Sequence, residues 1–198
     1  MFVDKSFTLA ATAHPQPFAV TTLSYNTRLF PIMTENKITD IPIILEDERK
    51  AHILSLMERL IAKNPVYAAL LPSIKLVSVA PGVVATRLEM TATHVNGRGV
   101  LHGAVSPAIV DFTTGLSIAS RDLRATTGAS VDMHISYLGT AAVGDTLEII
   151  AAAERVGGSL AYTTARISKV TETGASAELV AIGQHTKYVQ LGQAMAKH

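Results

Sequence analysis

The chain has no cysteine among its 198 residues. Without cysteine it can form no disulfide and no thiolate zinc site, and it cannot use a cysteine nucleophile. The sequence also lacks an uninterrupted run of the about 18 apolar residues that a membrane-spanning helix needs, so membrane insertion is not expected. Neither a His-Glu-x-x-His motif nor a Gly-x-Ser-x-Gly elbow occurs. We therefore predict no metal site and no serine-hydrolase triad.

Charge of one sign does not predominate either. The 17 Lys and Arg residues nearly balance the 16 Asp and Glu residues, for a net charge of +1, which gives no electrostatic reason to expect nucleic acid as a partner. Hydrophobic residues make up 48% of the chain and charged residues 17%. This composition is typical of one globular domain with much apolar surface to bury, part of it in a subunit interface.

Residues 1–44 show no sustained hydrophobic periodicity, and we predict an irregular N-terminal extension. The segment contains many Ser and Thr residues, and Asp4 is its only acidic residue before Glu35. Such a composition keeps a mitochondrial transit segment open as an alternative to the cytoplasmic location that we expect first.

Periodicity divides the rest of the chain into helices and strands. Apolar residues recur on one face over 46–63, which predicts a helix that Pro65 ends. The apolar segment 104–120 predicts a second helix. Residues 191–198 are expected to form a tail, so the folded domain is predicted to cover 45–190. Alternation with a period of two predicts strands over 74–79, 84–95, 125–138, 146–155, 160–171 and 176–189.

The order of these elements favours an α+β fold. Helix 104–120 is apolar on nearly all sides and must be buried, and a curved antiparallel sheet of five to six strands can wrap around it. Short connections at Gly157-Gly158 and Thr173-Gly174 make the last three strands antiparallel neighbours. Such a sheet leaves an edge strand to be covered, which favours a dimer.

A glycine-rich loop, Asn96-Gly-Arg-Gly-Val-Leu-His-Gly103, runs directly into this apolar helix. Glycine permits close approach of a backbone to a ligand, and the free N–H groups at a helix N-terminus favour a carbonyl oxygen that gains negative charge. Asp111 lies within the helix beside apolar residues, where a carboxylate is costly to bury unless it is paired or used. The loop and Asp111 therefore form the candidate site.

The motif Asn96-x-x-Gly99-x-Leu101-His102-Gly103, with Asp111 eight residues after the last glycine, resembles the hotdog-fold acyl-CoA thioesterases of the phenylacetate-pathway and mammalian thioesterase-superfamily-member-2 type. Two downstream segments agree, Gly-Ala-Ser-Val-Asp-Met at 128–133 and Gly-Gln-His-Thr-Lys at 183–187. The resemblance implies a hotdog fold and hydrolysis of an acyl-CoA to the free acid and coenzyme A. It implies no cofactor, because coenzyme A enters only as part of the substrate.

The resemblance also implies roles for five residues. The Gly103 N–H would be the oxyanion donor, and Asp111 would be the general base on water or the nucleophile. In the first role, burial is expected to raise the pKa of Asp111 toward neutral pH. Ser130 would orient the water, Asn96 would hydrogen-bond the thioester or the water, and His102 would order the loop or polarise the thioester. Each residue also has an ordinary structural interpretation, which for Asn96 is a turn.

Distance along the helix divides these residues between two subunits. Gly103 and Asp111 are about 12 Å apart if the helix rises about 1.5 Å per residue. The attacking water and the oxyanion donor must both lie within about 3 Å of one carbonyl group. We therefore expect a composite site, with Asn96, His102 and Gly103 of one subunit facing Asp111 and Ser130 of its partner. The minimum unit is a homodimer, and a homotetramer is left open.

Substrate-binding residues are predicted from charge and from position. Flexible cations suit phosphate, so Arg98, Arg124 and Lys187 are candidates for the phosphates of coenzyme A. Phe112 and Leu116, on the apolar helix, are candidates for the wall of the acyl pocket. All five predictions depend on the acyl-CoA substrate that the resemblance implies.

Two positions depart from the pattern of the relatives. Ala104 stands where a second glycine is usual, and His134 stands where asparagine is common.

Two other functions remain open, a non-hydrolytic hotdog enzyme acting on an acyl thioester in a biosynthetic pathway and a non-catalytic acyl-CoA-binding protein. The hydratase pattern of a His and an Asp on one loop is missing, which counts against the first. Tight binding without thiol release would identify the second.

Overall fold

The computed structural model describes residues 46–171, 173–174 and 176–190. The predicted extension at 1–44 and the predicted tail at 191–198 lie outside the described residues. Within the described part of the chain, no helix has both the length and the apolar character needed to cross a membrane.

Three α-helices and six β-strands make up the described chain. The predicted helix over 46–63 is confirmed, and the strands lie close to their predicted positions. The elements are α1 (Glu46–Lys63), α2 (Pro65–Leu70), β1 (Lys75–Ala80), β2 (Val83–Glu89), α3 (Val105–Asp122), β3 (Ala129–Tyr137), β4 (Thr146–Val156), β5 (Leu160–Val170) and β6 (Ser176–Tyr188).

The six strands form one antiparallel sheet in the order β1-β2-β4-β5-β6-β3. The predicted hairpins join β4 to β5 and β5 to β6. Helix α3 connects β2 to β3 and so carries the chain to the far edge of the sheet. It contacts all six strands, and 13 of its 18 residues are buried. A sheet whose every strand reaches one buried helix is the hotdog arrangement that the sequence predicts.

The strand predicted over 84–95 ends early, and this part of the prediction is wrong. β2 stops at Glu89, and a short 3-10 helix, Ala92–His94, follows it. The imidazole of His94 is the physical cause, because its Nδ1 accepts a hydrogen bond from the Thr91 N–H at 2.9 Å. Its Nε2 lies 2.7 Å from the Leu70 carbonyl oxygen. A buried histidine thus fixes the turn and ties it to the end of α2.

Helix α2 is short and has a strong start signal. Asn64 is its N-cap, with a side-chain oxygen that accepts hydrogen bonds from the N–H groups of Val66 at 3.0 Å and Tyr67 at 3.4 Å. Pro65 occupies the first helical position, where its missing N–H costs nothing. The cap fixes the direction of α2, and Tyr67 packs edge-on against Phe112 of α3 with ring centroids 5.1 Å apart.

Strand β6 approaches α3 closely at Gly183. A Cβ added at this glycine would lie 2.7 Å from a methyl group of Val110, a distance that side chains do not tolerate. Residues alternate along a strand, so His185 and Lys187 share the α3-facing side of β6 with Gly183, and both are 2% exposed. The close approach therefore brings two ionisable side chains of β6 to the residues that follow Val110.

Helix α1 holds the C-terminal end of α3 through side chains that donate to backbone carbonyls. Arg49 is only 6% exposed, and its guanidinium donates to the carbonyl oxygen of Ser120. Arg59 donates to the carbonyl oxygen of Ala125 at 2.7 Å. Cations favour the negative end of the α3 dipole, so these contacts stabilise the end of the central helix.

Replacing Arg49 with methionine is expected to lower the free energy of unfolding by about 2 kcal/mol, because the Ser120 carbonyl loses a charge-assisted partner in a buried place. The matched control is Arg59→Met, which removes a similar bond at an exposed site and should cost about 0.5 kcal/mol or less. Urea denaturation of both variants provides the comparison. Equal losses would show that burial adds nothing to the Arg49 contact.

Candidate active site

Asp111 lies on α3 at the place where that helix faces the edge strand β3 and its neighbour β6. Its side chain is 30% exposed. One carboxylate oxygen, Oδ1, accepts a hydrogen bond from the ammonium of Lys187 at 2.6 Å and lies 3.3 Å from the hydroxyl of Ser130. The other oxygen, Oδ2, accepts a hydrogen bond from the Tyr67 hydroxyl at 2.6 Å. Side chains from three elements, β6, β3 and α2, therefore surround one carboxylate.

These partners set the ionisation of the site. Burial raises the pKa of Asp111, but the charge of Lys187 and the hydrogen bonds from Lys187 and Tyr67 outweigh burial and hold the pKa below its ordinary value. The expectation of a raised pKa was therefore wrong in direction, because the sequence did not reveal the ammonium beside the carboxylate. Burial, followed by the contact with Asp111, raises the pKa of Tyr67. At neutral pH the site contains an ionised carboxylate and a neutral phenol.

His185 lies behind Ser130 and has no exposed side-chain surface. Its Nε2 is 3.0 Å from the Ser130 hydroxyl oxygen, and its Nδ1 is 2.9 Å from the hydroxyl oxygen of Thr114 on α3. Burial, and then the nearby charge of Lys187, lower the pKa of His185 to about 4. The imidazole is therefore neutral at pH 7, with one N–H group for its two partners.

A cleft of about 300 Å³ opens beside the carboxylate. Its walls combine small apolar groups with the polar groups of the site, as is usual for a pocket that binds a small molecule. The lining residues are Asn64, Val66, Tyr67, Pro107, Ala108, Asp111, Ser130 and Met133. Asn64, the N-cap of α2, and Tyr67, within α2, thus contribute to a ligand cleft.

The glycine-rich loop has an internal hydrogen-bonded structure. The side chain of Asn96 accepts a hydrogen bond from the Arg98 N–H at 2.9 Å, and Gly99 has a φ of +75°, a conformation that favours glycine. The His102 Nδ1 accepts a hydrogen bond from the Ala104 N–H at 3.0 Å. Since Nδ1 is an acceptor, the proton of the neutral ring is on Nε2. His102 therefore orders the loop while its Nε2–H remains available as a donor.

Gly103 ends this loop. The Tyr137 hydroxyl donates to its carbonyl oxygen at 2.8 Å, which fixes the peptide that enters α3. No described residue accepts a hydrogen bond from the Gly103 N–H. The amide predicted to stabilise an oxyanion thus keeps an open donor position.

The structure brings together only part of the predicted site. Asp111 and Ser130 are neighbours, whereas Asn96, His102 and Gly103 belong to the loop at the start of α3. None of these three loop residues is among the residues that line the cleft beside Asp111. Within one described chain, the carboxylate and the predicted oxyanion donor are thus in different places.

The structure gives the predicted substrate-binding residues different surroundings. The Lys187 ammonium is 3% exposed and pairs with Asp111, so it has no free surface for a phosphate. Phe112 and Leu116 are buried in the core at 1% and 0% exposure and do not line the cleft. Arg124 pairs with Asp122 at 2.5 Å, which leaves its charge partly neutralised. Arg98 is exposed on the loop, where a phosphate could reach it.

Sequence reasoning assigned no role to His185 and did not foresee that Tyr67 bonds the carboxylate. A signal for His185 was present, since His185 and Lys187 alternate with Gly183 on one face of a strand. For Tyr67 the sequence gives only its place near the end of a helix. The contact across 44 residues to Asp111 depends on how α2 packs on α3.

The chain is similar in sequence and in structure to known proteins. Residues 98–176 match the thioesterase superfamily. Human acyl-coenzyme A thioesterase 13 is 32% identical over 123 residues, which are 62% of this chain and 84% of the human protein. The crystal structure of zebrafish thioesterase superfamily member 2 superposes with a TM-score of 0.59 at 29% identity, covering 72% of this chain and 96% of the other.

A more distant likeness concerns the fold alone. The structure of the E. coli PaaI protein from the phenylacetic acid degradation operon superposes with a TM-score of 0.55 at 17% identity, covering 70% of this chain and 94% of the other. The same arrangement of sheet and helix is thus shared at low sequence identity.

Proposed function

Because this chain belongs to the thioesterase superfamily, we propose that it hydrolyses the thioester of an acyl-CoA to the free acid and coenzyme A. The observation that carries the proposal is the ionised carboxylate of Asp111, which opens on a cleft beside Ser130. The name of the human relative, an acyl-coenzyme A thioesterase, supports the substrate class.

In the proposed reaction, a water held by Asp111 and Ser130 attacks the thioester carbonyl carbon. The carboxylate of Asp111 takes a proton from the water as the new C–O bond forms, and the carbonyl electron pair moves to oxygen. The Gly103 N–H stabilises this oxyanion, with Asn96 or His102 as a second donor. Collapse of the intermediate breaks the C–S bond, and the departing thiolate recovers the proton from Asp111.

We propose that each site is formed by two subunits. The cleft beside Asp111 has no lining residue from the glycine-rich loop, and eight residues of helix separate Gly103 from Asp111, or about 12 Å. A carbonyl group cannot lie within reach of both in one chain. A second copy must then bring its loop to the cleft.

The edge strand β3 supports this arrangement. It pairs with β6 on one side only. Val131 and Tyr137 of β3, and Leu138 just after it, are 56% to 59% exposed. An exposed apolar edge strand favours pairing with another chain. If two copies of β3 pair antiparallel around Met133 and His134, Ser130 of one subunit lies opposite the partner's Tyr137. The Tyr137 hydroxyl holds the carbonyl of Gly103, so the partner's loop would arrive beside Ser130.

The activity and the shared site can be tested together. The wild-type protein is expected to release thiol from acyl-CoA substrates of short, long or aromatic acyl groups. Asp111→Asn and Gly103→Pro, which removes an N–H, should each be inactive alone. In an equilibrated equal mixture, half of the dimers are mixed and each has one intact site, so about a quarter of the wild-type activity should return.

The results separate the possibilities. An inactive mixture, with mixed dimers demonstrated by differently tagged subunits, would place the whole site in one chain. Tight acyl-CoA binding by the wild-type protein without thiol release would instead identify a binding protein. Sedimentation of the wild-type protein measures whether the dimer is the complete assembly.

Two further parts of the proposal concern substrate contact and location. Arg98 is the best placed of the predicted cations to meet a coenzyme A phosphate, since it is exposed on the loop that bears Gly103. We expect Arg98→Ala to raise KM for acyl-CoA without lowering kcat.

A cytoplasmic location is proposed, with mitochondria as the alternative, and imaging of fusions with and without residues 1–44 distinguishes them.

A further inference from the structure

A line of hydrogen-bonding groups runs from the core of the protein to the carboxylate. Thr114 lies 2.9 Å from the His185 Nδ1, the His185 Nε2 lies 3.0 Å from Ser130, and Ser130 lies 3.3 Å from Asp111. Thr114 is fully buried and His185 is 2% exposed. The proposed reaction uses Ser130 and Asp111 but assigns nothing to the two buried residues behind them.

The hydrogens along this line can be counted from the Thr114 end. The Thr114 hydroxyl has one proton, and it donates to the Val110 carbonyl at 2.6 Å, within the same helix. Its oxygen must therefore accept from His185, which places the imidazole proton on Nδ1. Since the neutral ring has only one N–H, Nε2 is the bare nitrogen and accepts the hydroxyl proton of Ser130.

The distances at Ser130 agree with this count. Ser130 has one proton and two acceptors within reach, and the His185 Nε2 at 3.0 Å is closer than the Asp111 Oδ1 at 3.3 Å. Asp111 Oδ1 already accepts a charged donor, Lys187, at 2.6 Å. The carboxylate oxygen therefore already has a donor. Among the described residues, the bare imidazole nitrogen has no donor other than Ser130.

We propose that His185 is a positioning residue that holds the hydroxyl proton of Ser130, so that the Ser130 oxygen faces the cleft as a hydrogen-bond acceptor. A water in the cleft then donates one hydrogen to Asp111 and the other to Ser130, which leaves its lone pair directed away from both. That orientation is the one needed for attack on a carbonyl carbon. If Ser130 donated its proton to the carboxylate instead, its oxygen would accept from the His185 Nε2–H and would keep one lone pair for the water, where the proposed arrangement leaves two.

The inference rests on the proposed function for the identity of the attacking water, but its first test does not require activity. Long-range proton–nitrogen correlation spectra of protein labelled with 15N-histidine distinguish a protonated ring nitrogen from a bare one. At pH 7 we expect the His185 signal, identified by its loss in His185→Phe, to report a proton on Nδ1 and none on Nε2. A proton on Nε2 would overturn the proposal, whether or not the protein cleaves acyl-CoA.

A second test changes Thr114, which does not line the cleft and, of Asp111, meets only the backbone carbonyl, at 3.4 Å. Thr114→Val keeps the shape and removes the acceptor for Nδ1–H, so we expect His185 to shift toward the Nε2–H form and kcat to fall by up to about 10²-fold, as for a small misplacement in a site. The matched control is Thr113→Val. Thr113 is equally buried and donates to Ile109 at 2.8 Å in the same way, but no contact joins it to His185 among the described residues. The control should leave the ring tautomer and kcat unchanged.

A double-mutant cycle separates positioning from packing. If His185 acts only through Ser130, then His185→Phe lowers kcat in the wild-type background and has no further effect in the Ser130→Ala background, with KM little changed in both. An equal additional loss of kcat in the Ser130→Ala background would mean that His185 acts in another way, and the proposal would be wrong. A protein that binds acyl-CoA but never releases thiol would end the proposed function while the tautomer measurement still decides this inference.

Discussion

Asp111→Asn is expected to lower kcat for acyl-CoA hydrolysis by about 10² to 10⁴-fold, the range typical of removing a general base, with KM nearly unchanged. The amide cannot take a proton from water, but it keeps the size of the side chain and leaves an oxygen for Lys187 or Ser130. The affected step is therefore chemical, and steady-state thiol release over a range of substrate concentrations measures it. The result would be the same in either proposed role of Asp111, because an amide is also no nucleophile.

The control for this variant is Asp122→Asn on the same helix. Asp122 pairs with Arg124 and does not line the cleft beside Asp111, so kcat should remain at the wild-type value although the same charge is lost. Thermal unfolding of both variants shows whether Asp111→Asn still folds. A folded, dimeric Asp111→Asn protein with wild-type kcat would exclude Asp111 from the chemistry.

The fold could be predicted from the sequence because its main signals are local. The apolar residues on one face of 46–63, the period of two in the strands and the apolar stretch that ends near Ser120 each specify an element without knowledge of its neighbours. One buried helix beside antiparallel strands leaves few ways to pack. The exception at 90–95 has a specific cause, since the turn there depends on a contact between His94 and Leu70, which local periodicity does not contain.

The environment of the carboxylate could not be predicted in the same way. The sequence identified Asp111 and Ser130 as candidates, and the structure places them together. The ammonium of Lys187 reaches Asp111 across 76 residues, and that contact reverses the expected direction of the pKa shift. The sequence offered a lysine near a strand end, where solvent or phosphate was the natural partner. The close approach at Gly183 turns this strand toward the helix instead.

Lys187→Met is expected to move the acid limb of the kcat/KM profile toward higher pH by about 1 to 3 units, the usual effect of one opposite charge within contact distance. In the wild-type protein the pKa of Asp111 is below its ordinary value, so activity persists to acidic pH. Without the ammonium, burial is the largest influence and raises the pKa of the carboxyl. The other groups that face Asp111 are Tyr67 on α2, Ser130 on β3 and His185 on β6, and all three are neutral at pH 7.

The stability of the two proteins should change with pH in opposite directions. At pH values between the folded-state and unfolded-state pKa of Asp111, the unfolded wild-type chain binds more protons than the folded protein does. The stabilisation is then present above the unfolded pKa and is lost as pH falls through the folded pKa. In Lys187→Met the folded pKa lies above the unfolded value, so stability declines as pH rises through that window. The difference between the proteins is largest at neutral pH and smallest in acid.

Lys187→Arg is the control, because it keeps a positive charge beside Asp111 and should keep the acid limb low. The loss of stability in Lys187→Met at pH 7 should be below the roughly 3 to 5 kcal/mol seen when one partner of a fully buried pair is removed, since Asp111 keeps 30% exposure. Urea denaturation at pH 7 and at acidic pH, with the kinetic profile of the same samples, measures both effects. If Lys187→Met retained the wild-type acid limb, the ammonium would have no influence on the carboxylate. The low pKa of Asp111 would then have to arise from its hydrogen bonds, and the charge of β6 would have no part in the chemistry.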